Sequence, residues 1–285
     1  MSVVSENWRA STTAKAPEST GRRNKRGWAF AILAALALAA ALDGFFIEPY
    51  WIQVIHYDIE GPVAAPLKIA DLSDLHTHGL GRRERRLLDE LAAEKPDMIV
   101  ITGDSIGVSD GNYAQARQVY ERLHAPLGVW FVRGNWEDNA PLHDEGAYYQ
   151  RAGIRLLVNQ NAEPRPDIAV IGLDDPYTGT ANLKAALEGV PSSAYKIALF
   201  HSPAYFDKVA GRVNLVLSGH THGGQVRLPF LTPLWLPLGS GRFLEGWYEE
   251  RGSKMYVNRG LGTSILPVRF FCRPEITFIT VRPAE

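Results

Sequence analysis

Seven side chains able to ligate a metal stand in five short motifs of this chain. They are Ser73-Asp74-Leu75-His76, Gly103-Asp104, Gly134-Asn135, a lone His201, and Gly219-His220-Thr221-His222-Gly223-Gly224. Taken singly, each is weak. A Gly-Asp after a strand is commonly a helix N-cap, and a Gly-Asn is commonly a turn. Two histidines bracketed by glycines, however, suit neither a core nor a helix. The ordered set predicts one metal site assembled from Asp74, His76, Asp104, Asn135, His201, His220 and His222.

Each motif follows a short apolar run. Residues 67–70, 97–102, 129–132, 197–200 and 215–217 read as buried strands, and 168–171 as another. Residues 82–95 carry Leu87, Leu88, Leu91 and Ala92 at helical spacing, and 113–123 reads as a second helix. Strands alternating with helices predict an α/β fold. In open α/β sheets, ligands collect at the carboxyl ends of strands, where all five motifs fall. Strand alternation further predicts that Asp74 with His76, and His220 with His222, each aim at one centre from a shared face. The neighbouring glycines leave room for an incoming anion, which makes Gly223 and Gly224 candidates for binding substrate. After Gln225 the pattern becomes turn-rich and β-like, ending in an alternating strand over 275–281. No linker divides the body, so 50–285 reads as one catalytic domain.

Composition narrows the classes. The 285 residues are 46% hydrophobic and 21% charged, which excludes a disordered or collagen-like chain. A single cysteine, Cys272, excludes a disulfide framework and a thiolate zinc cluster, and reads as a buried small residue. A net charge of −1 gives no reason to expect nucleic acid as a partner. Residues 1–27 hold six basic and two acidic residues, and read as a disordered basic N-terminus. Residues 28–42 carry no charge and eight alanines; extended to 47, the stretch spans about 30 Å as a helix. We therefore expect a transmembrane anchor or signal segment at 28–47. The basic residues before it predict a single-pass protein of the inner membrane, with its catalytic domain in the periplasm or otherwise outside the cytoplasm. A cleaved signal at Ala37-Leu38-Ala39, with export, is the open alternative, as is a surface helix; Arg22-Arg23 hints at twin-arginine export.

Over 67–282 the sequence resembles the calcineurin-like metallophosphoesterase superfamily, and within it the bacterial membrane-anchored branch. The likeness is carried by 218–225 followed by Leu228-Pro229, by Tyr256-Val257-Asn258-Arg259-Gly260-Leu261-Gly262-Thr263, by Arg269-Phe270, and by Cys272-Arg273-Pro274-Glu275. It implies a four-layer α/β/β/α sandwich with two divalent metal ions between the sheets. One would take Asp74, His76, Asp104 and His222; the other would take Asp104, Asn135, His201 and His220, with Asp104 bridging. Nitrogen, carboxylate and carboxamide donors without thiolate suit Mn, Fe or Zn. In such centres a water between ions about 3.5–4 Å apart loses a proton near neutral pH and attacks phosphorus. The expected activity is hydrolysis of a phosphodiester or pyrophosphate bond.

One motif departs from that pattern. The superfamily's Gly-Asn-His-Asp/Glu reads here as Gly134-Asn135-Trp136-Glu137. Tryptophan cannot supply a proton, and losing a general acid costs about 10²–10⁴-fold for a basic leaving group. Trp136 therefore shifts the expectation toward pyrophosphates and acidic diesters, unless His78 or His143 supplies the proton. Arg82, leading the run Arg82, Arg83, Arg85 and Arg86, is a candidate phosphate contact. The apolar, Pro- and Gly-broken stretch 229–244 offers a ledge for acyl chains or a bilayer. A lipid-linked substrate such as UDP-diacylglucosamine, cleaved by related enzymes of lipid A synthesis, would suit both features. That substrate is made in the cytoplasm, which conflicts with an external domain. The alternatives are a broad cell-envelope phosphodiesterase or phosphatase, and a membrane-tethered metal-binding protein without turnover.

Overall fold

The computed structural model describes residues 21–107, 113–228, 231, 233 and 236–284. Most of the predicted disordered head lies outside these residues, as do five positions (229, 230, 232, 234 and 235) of the apolar stretch 229–244. Strands β1 (Gln53–Gly61), β2 (Leu67–Leu72), β3 (Met98–Thr102), β4 (Val129–Val132) and β5 (Ile154–Leu156) lie in the first sheet. The second comprises β6 (Gln160–Arg165), β7 (Ile168–Gly172), β8 (Tyr195–Leu199), β9 (Leu215–Ser218), β10 (Gly246–Glu250) and β11 (Ser253–Val257). The last strand, β12 (Glu275–Pro283), returns to the first sheet, whose order is β1-β12-β2-β3-β4-β5; the second runs β10-β11-β9-β8-β7-β6.

Both faces of the central strands are buried, so successive side chains pack alternately into two different layers. Leu67 and Ile69 of β2, with Met98 and Val100 of β3, meet Ile168, Val170, Leu215 and Leu217 of the opposite sheet. The intervening Ala70, Leu72, Ile99 and Ile101 turn outward onto a helical layer. That layer is α2 (Arg82–Glu94) and α3 (Tyr113–Tyr120), with α4 (Asn135–Asn139) and α5 (Glu145–Arg151). On the far side, Ile171, Ala198 and Val216 pack against α6 (Leu183–Ala186) and α7 (Phe206–Val209). Each of the larger aliphatic side chains contributes about 1.5–3 kcal/mol through burial, and the four layers are α/β/β/α. Parallel pairing of β2, β3 and β4, and of β7, β8 and β9, sends their carboxyl ends to one edge of each sheet.

The N-terminal helix α1 (Gly21–Leu42) is followed by a π turn, Asp43–Ile47, and a 3-10 turn, Glu48–Tyr50. Residues 25–50 form the one helical stretch, among the described residues, long and apolar enough to cross a membrane. Residues 42–285 form a unit separate from the rest of that helix.

Candidate metal centre

The loops after β2, β3, β4, β8 and β9 carry the seven predicted ligands. Strand alternation misleads here in two respects, although Asp74 and His76 do lie in one cluster. Asp74 and His76 are not extended: their φ angles are 48° and 39°, and Asp104, His220 and His222 are also left-handed at 49°, 73° and 49°. Such backbone costs an L-residue about 1–3 kcal/mol, and it concentrates where a fold over-determines a functional loop. The restraint here is visible: Asp74 N–H donates to Gly103 O at 3.1 Å, and His76 N–H to Asp104 O at 3.0 Å. Second, His220 and His222 do not share a centre. Asp74, His76 and His222 form one buried cluster, and Asp104, His201 and His220 form another. The turn at Thr221 splays the two rings apart, as the resemblance implied. Asp104 stands between the clusters, with Oδ2 3.2 Å from His201 Nε2 and 3.7 Å from His76 Nε2.

The donor set fits divalent ions. His76 Nδ1–H can donate to Ile106 O at 3.2 Å, His201 Nδ1–H to Thr102 O at 2.7 Å, and His220 Nε2–H to Leu238 O at 2.7 Å. Carbonyls accept only, so these contacts put the proton on the outward nitrogen and leave the inward one bare. His220 Nδ1 then faces His201 Nε2 at 3.0 Å, a contact that needs a proton or a cation between the two nitrogens. His222 Nε2 lies 3.2 Å from both His76 Nε2 and Asp74 Oδ1. Asn135 Oδ1 is buried without any hydrogen-bond partner, and Asp74 Oδ1 faces only histidine nitrogens, the nearest His222 Nε2 at 3.2 Å. Asn135, at the start of α4, borders the same cavity as Asp104, His220 and His222.

Electrostatics agree with that reading. Burial, partly offset by Asp104, lowers the His76 pKa to about 4. Burial and His201 depress that of His220. Burial alone would raise Asp74 and Asp104, but the histidines outweigh it and hold both below the usual carboxylate range. Ionised carboxylates and neutral imidazoles are the states that metal binding requires. His201 differs: burial opposes its charge, but Asp104 and Asp74 prevail and raise its pKa, so an ion entering there displaces a proton.

Glu137 was not singled out in the sequence, although its place three residues after Gly134 is a capping signal. It is buried, and its carboxylate accepts from Gly134 N–H at 2.8 Å, Asp104 N–H at 2.9 Å, Ser105 N–H at 2.8 Å and Ser105 Oγ at 2.9 Å. It thereby ties the loop after β3 to the loop after β4. Burial and the Asp104 charge raise its pKa to about 7. Residues 256–263 buttress the other side: Leu261 N–H donates to Ser73 O at 3.0 Å, and Gly262 N–H to Asp74 O at 2.7 Å. Close approach also explains Gly134, where a Cβ would lie 2.6 Å from the Asp104 amide nitrogen.

A cavity of about 400 Å³ opens over Asp104, Asn135, His220 and His222, with Trp136, Val226, Pro237, Ile265, Leu266 and Val268 on its walls. The Trp136 indole meets the His76 ring edge-on, with centroids 6.0 Å apart. Gly224 borders this cavity. Gly223 does not provide the expected room for an anion: it is buried, and a Cβ there would meet Arg227, Arg259 and Cys272. His78 and Arg82 border a second cavity, of about 680 Å³, that His76 also lines. His143 is exposed and borders neither. Cys272 is buried, as expected. Of the apolar stretch, Phe243 turns into the core while Leu238 is exposed.

Paired buried clusters at the carboxyl edges of two facing sheets define a metal-dependent phosphoester hydrolase. The calcineurin-like phosphoesterase model matches residues 67–224, and the chain belongs to that family. It is 32% identical over 278 residues to the metallophosphoesterase YkuE of Bacillus subtilis (strain 168), covering 89% of this chain and 94% of that protein. A metallophosphoesterase of Aquifex aeolicus (strain VF5) is 30% identical over 247 residues, 83% of this chain and 94% of its own. Phosphodiesterase YaeI of Escherichia coli (strain K12) is 28% identical over 263 residues, 86% of this chain and 96% of its own. Family and clusters together point to two divalent ions.

Proposed function

We propose that the protein hydrolyses a phosphodiester or pyrophosphate bond whose leaving group is already a stable anion, in an amphiphilic, lipid-linked substrate. The observation that carries this reading is the cavity wall. Beyond the ligand side chains, no titratable group lines it among the described residues. Its polar members are satisfied internally: Thr221 Oγ1 donates to Leu244 O, and the Gln225 amide to Ser264 O and Leu266 O. No acid stands ready there to protonate a departing alkoxide, and an apolar wall suits acyl chains.

Asp74, His76, Asp104 and His222 would hold one ion, and Asp104, Asn135, His201 and His220 the other. The chemistry two such ions supply when bound is polarisation of phosphoryl oxygens and activation of a water. Trp136, Ile265 and Leu266 exclude bulk water from the departing side and pack the apolar part of the substrate. Arg82 and His78, in the second cavity that His76 also lines, would receive an anionic headgroup. The likeness to a named phosphodiesterase supports a diester. The basic head and apolar helix support a single-pass inner-membrane protein with domain 50–285 outside the cytoplasm. That topology favours a second reading, a cell-envelope phosphodiesterase of broad specificity, over a nucleotide-sugar substrate such as UDP-diacylglucosamine. A panel of lipid-linked pyrophosphates, phosphodiesters and alkyl monoesters, assayed with Mn²⁺, tests both. Preference for alkyl monoesters would contradict them.

A further inference from the structure

We propose that the apolar rim of the metal cavity is a membrane-docking surface, seated on the lipid bilayer by the segment that follows the N-terminal helix. The inference rests on reading residues 25–50 as a retained membrane anchor.

Residues 43–51 are built into the catalytic unit rather than serving as a loose tether. Gly44 O accepts from Arg269 N–H at 2.9 Å. The buried Glu48 carboxylate accepts from the N–H groups of Phe271 (2.8 Å) and Cys272. Arg273 Nε donates to Trp51 O at 2.9 Å, and Gln53 N–H to Pro274 O at 2.8 Å. Residues 44–53 are therefore fastened to residues 269–274, at the end of the loop whose Ile265 and Leu266 wall the metal cavity. Arg227 N–H to Phe270 O (2.8 Å) and Phe270 N–H to Gln225 O (3.0 Å) tie residues 225–228 to the same loop.

This hydrogen-bonded strip carries large apolar side chains in the open. Phe46, Trp51, Phe271, Ile265 and Leu266 are between 58% and 70% exposed. Large apolar side chains left exposed along one hydrogen-bonded strip mark an interaction site. The chemistry around it selects a bilayer over a second copy of the chain. The Arg273 guanidinium lies 4.1 Å from the Trp51 ring centroid, and that of Arg82 lies 5.9 Å from Tyr50. Aromatic rings paired with cations beside an apolar span belong at the depth of lipid headgroups, where arginines meet anionic phosphates. A rim so placed would present the cavity mouth to lipids in the leaflet.

The test uses the full chain in phosphatidylcholine/phosphatidylglycerol vesicles, with intact mass confirming that residues 21–50 are retained. An environment-sensitive fluorophore is attached at Phe271→Cys, at Leu266→Cys and, for comparison, at exposed Glu188→Cys. Lipids carrying a quencher near the headgroup should reduce emission at 266 and 271 by about twofold, and leave 188 unchanged, for insertion about 5–10 Å deep. Equal, weak quenching at all three positions would overturn the proposal. So would shielding of 266 and 271 from aqueous iodide without lipid quenching, which is the signature of a contact between copies. Because quenching needs no turnover, it fails separately from the substrate assignment.

Discussion

The backbone N–H of Trp136 donates to Asp104 Oδ1 at 2.9 Å, leaving Oδ2 of the same carboxylate to face His201 and His76. The carboxylate between the two clusters is thus oriented by main chain at position 136, not by its side chain. The indole lines the cavity wall and meets the His76 ring, so replacing it acts on that wall and not on the bond that orients Asp104.

Trp136→His should therefore keep its metals and change its substrate preference. Wild type should cleave nitrophenyl diesters or pyrophosphates well and glycerol phosphate hardly at all. The variant should improve poor leaving groups selectively, by up to about 10²-fold, since protonation lowers the barrier only where an alkoxide carries the charge. The readout is the ratio of rates for the two substrate classes. Efficient alkyl-monoester hydrolysis by wild type would contradict the account.

Glu137→Ala should destabilise the fold by about 3 kcal/mol or more, because it strands buried backbone donors of two ligand loops. Glu137→Gln, which keeps an acceptor oxygen, should lose less. Denaturant midpoints of the two variants give the comparison. A surface-like loss below about 0.5 kcal/mol in Glu137→Ala would show that the tie between the loops is not needed.

Removing metal should lower thermal stability, since the crowded ring nitrogens and buried oxygens of the two clusters then lose the cation that joins them. Saturating a site at 100 times its dissociation constant returns about 2.7 kcal/mol. The raised pKa of His201 sets the sign with pH: its proton must leave before an ion binds, so affinity should weaken as pH falls. Melting with and without chelator at several pH values measures both effects. An unchanged melting temperature on chelation would contradict the metal assignment.

Topology is checked by reporters fused after Glu285. One active only in the periplasm should work. If only a cytoplasmic reporter is active, the positive-inside reading fails, and a nucleotide-sugar substrate gains ground.

The strand ends were legible because parallel strands buried on both faces read as unbroken apolar runs, and each run stopped on a donor. β1 went unread although His56, Asp58 and Glu60 alternate outward along it. It is a half-exposed edge strand, held by its nine-residue pairing with β12 and by Val54, Tyr57 and Ile59 against the two cores. The left-handed turns at Asp74, His76, Asp104, His220 and His222 could not be anticipated, because residues of these types adopt them only under tertiary restraint. That is why alternation misassigned His220 and His222 while the motif's likeness to known relatives separated them. Gly223 carries the same lesson: a glycine in a motif invites a ligand, yet here the space is filled by Arg227, Arg259 and Cys272.

The central claim is a two-ion centre joined at Asp104. Its most direct test is metal content per chain beside turnover of a nitrophenyl phosphodiester, for wild type, Asp104→Asn and His220→Ala, all reconstituted with Mn²⁺. The wild-type chain should hold two ions and turn over. Both variants should keep their fold by circular dichroism, lose turnover and hold less metal, most severely in Asp104→Asn, where both clusters lose a ligand. Wild-type activity or undiminished metal in either variant would contradict the account.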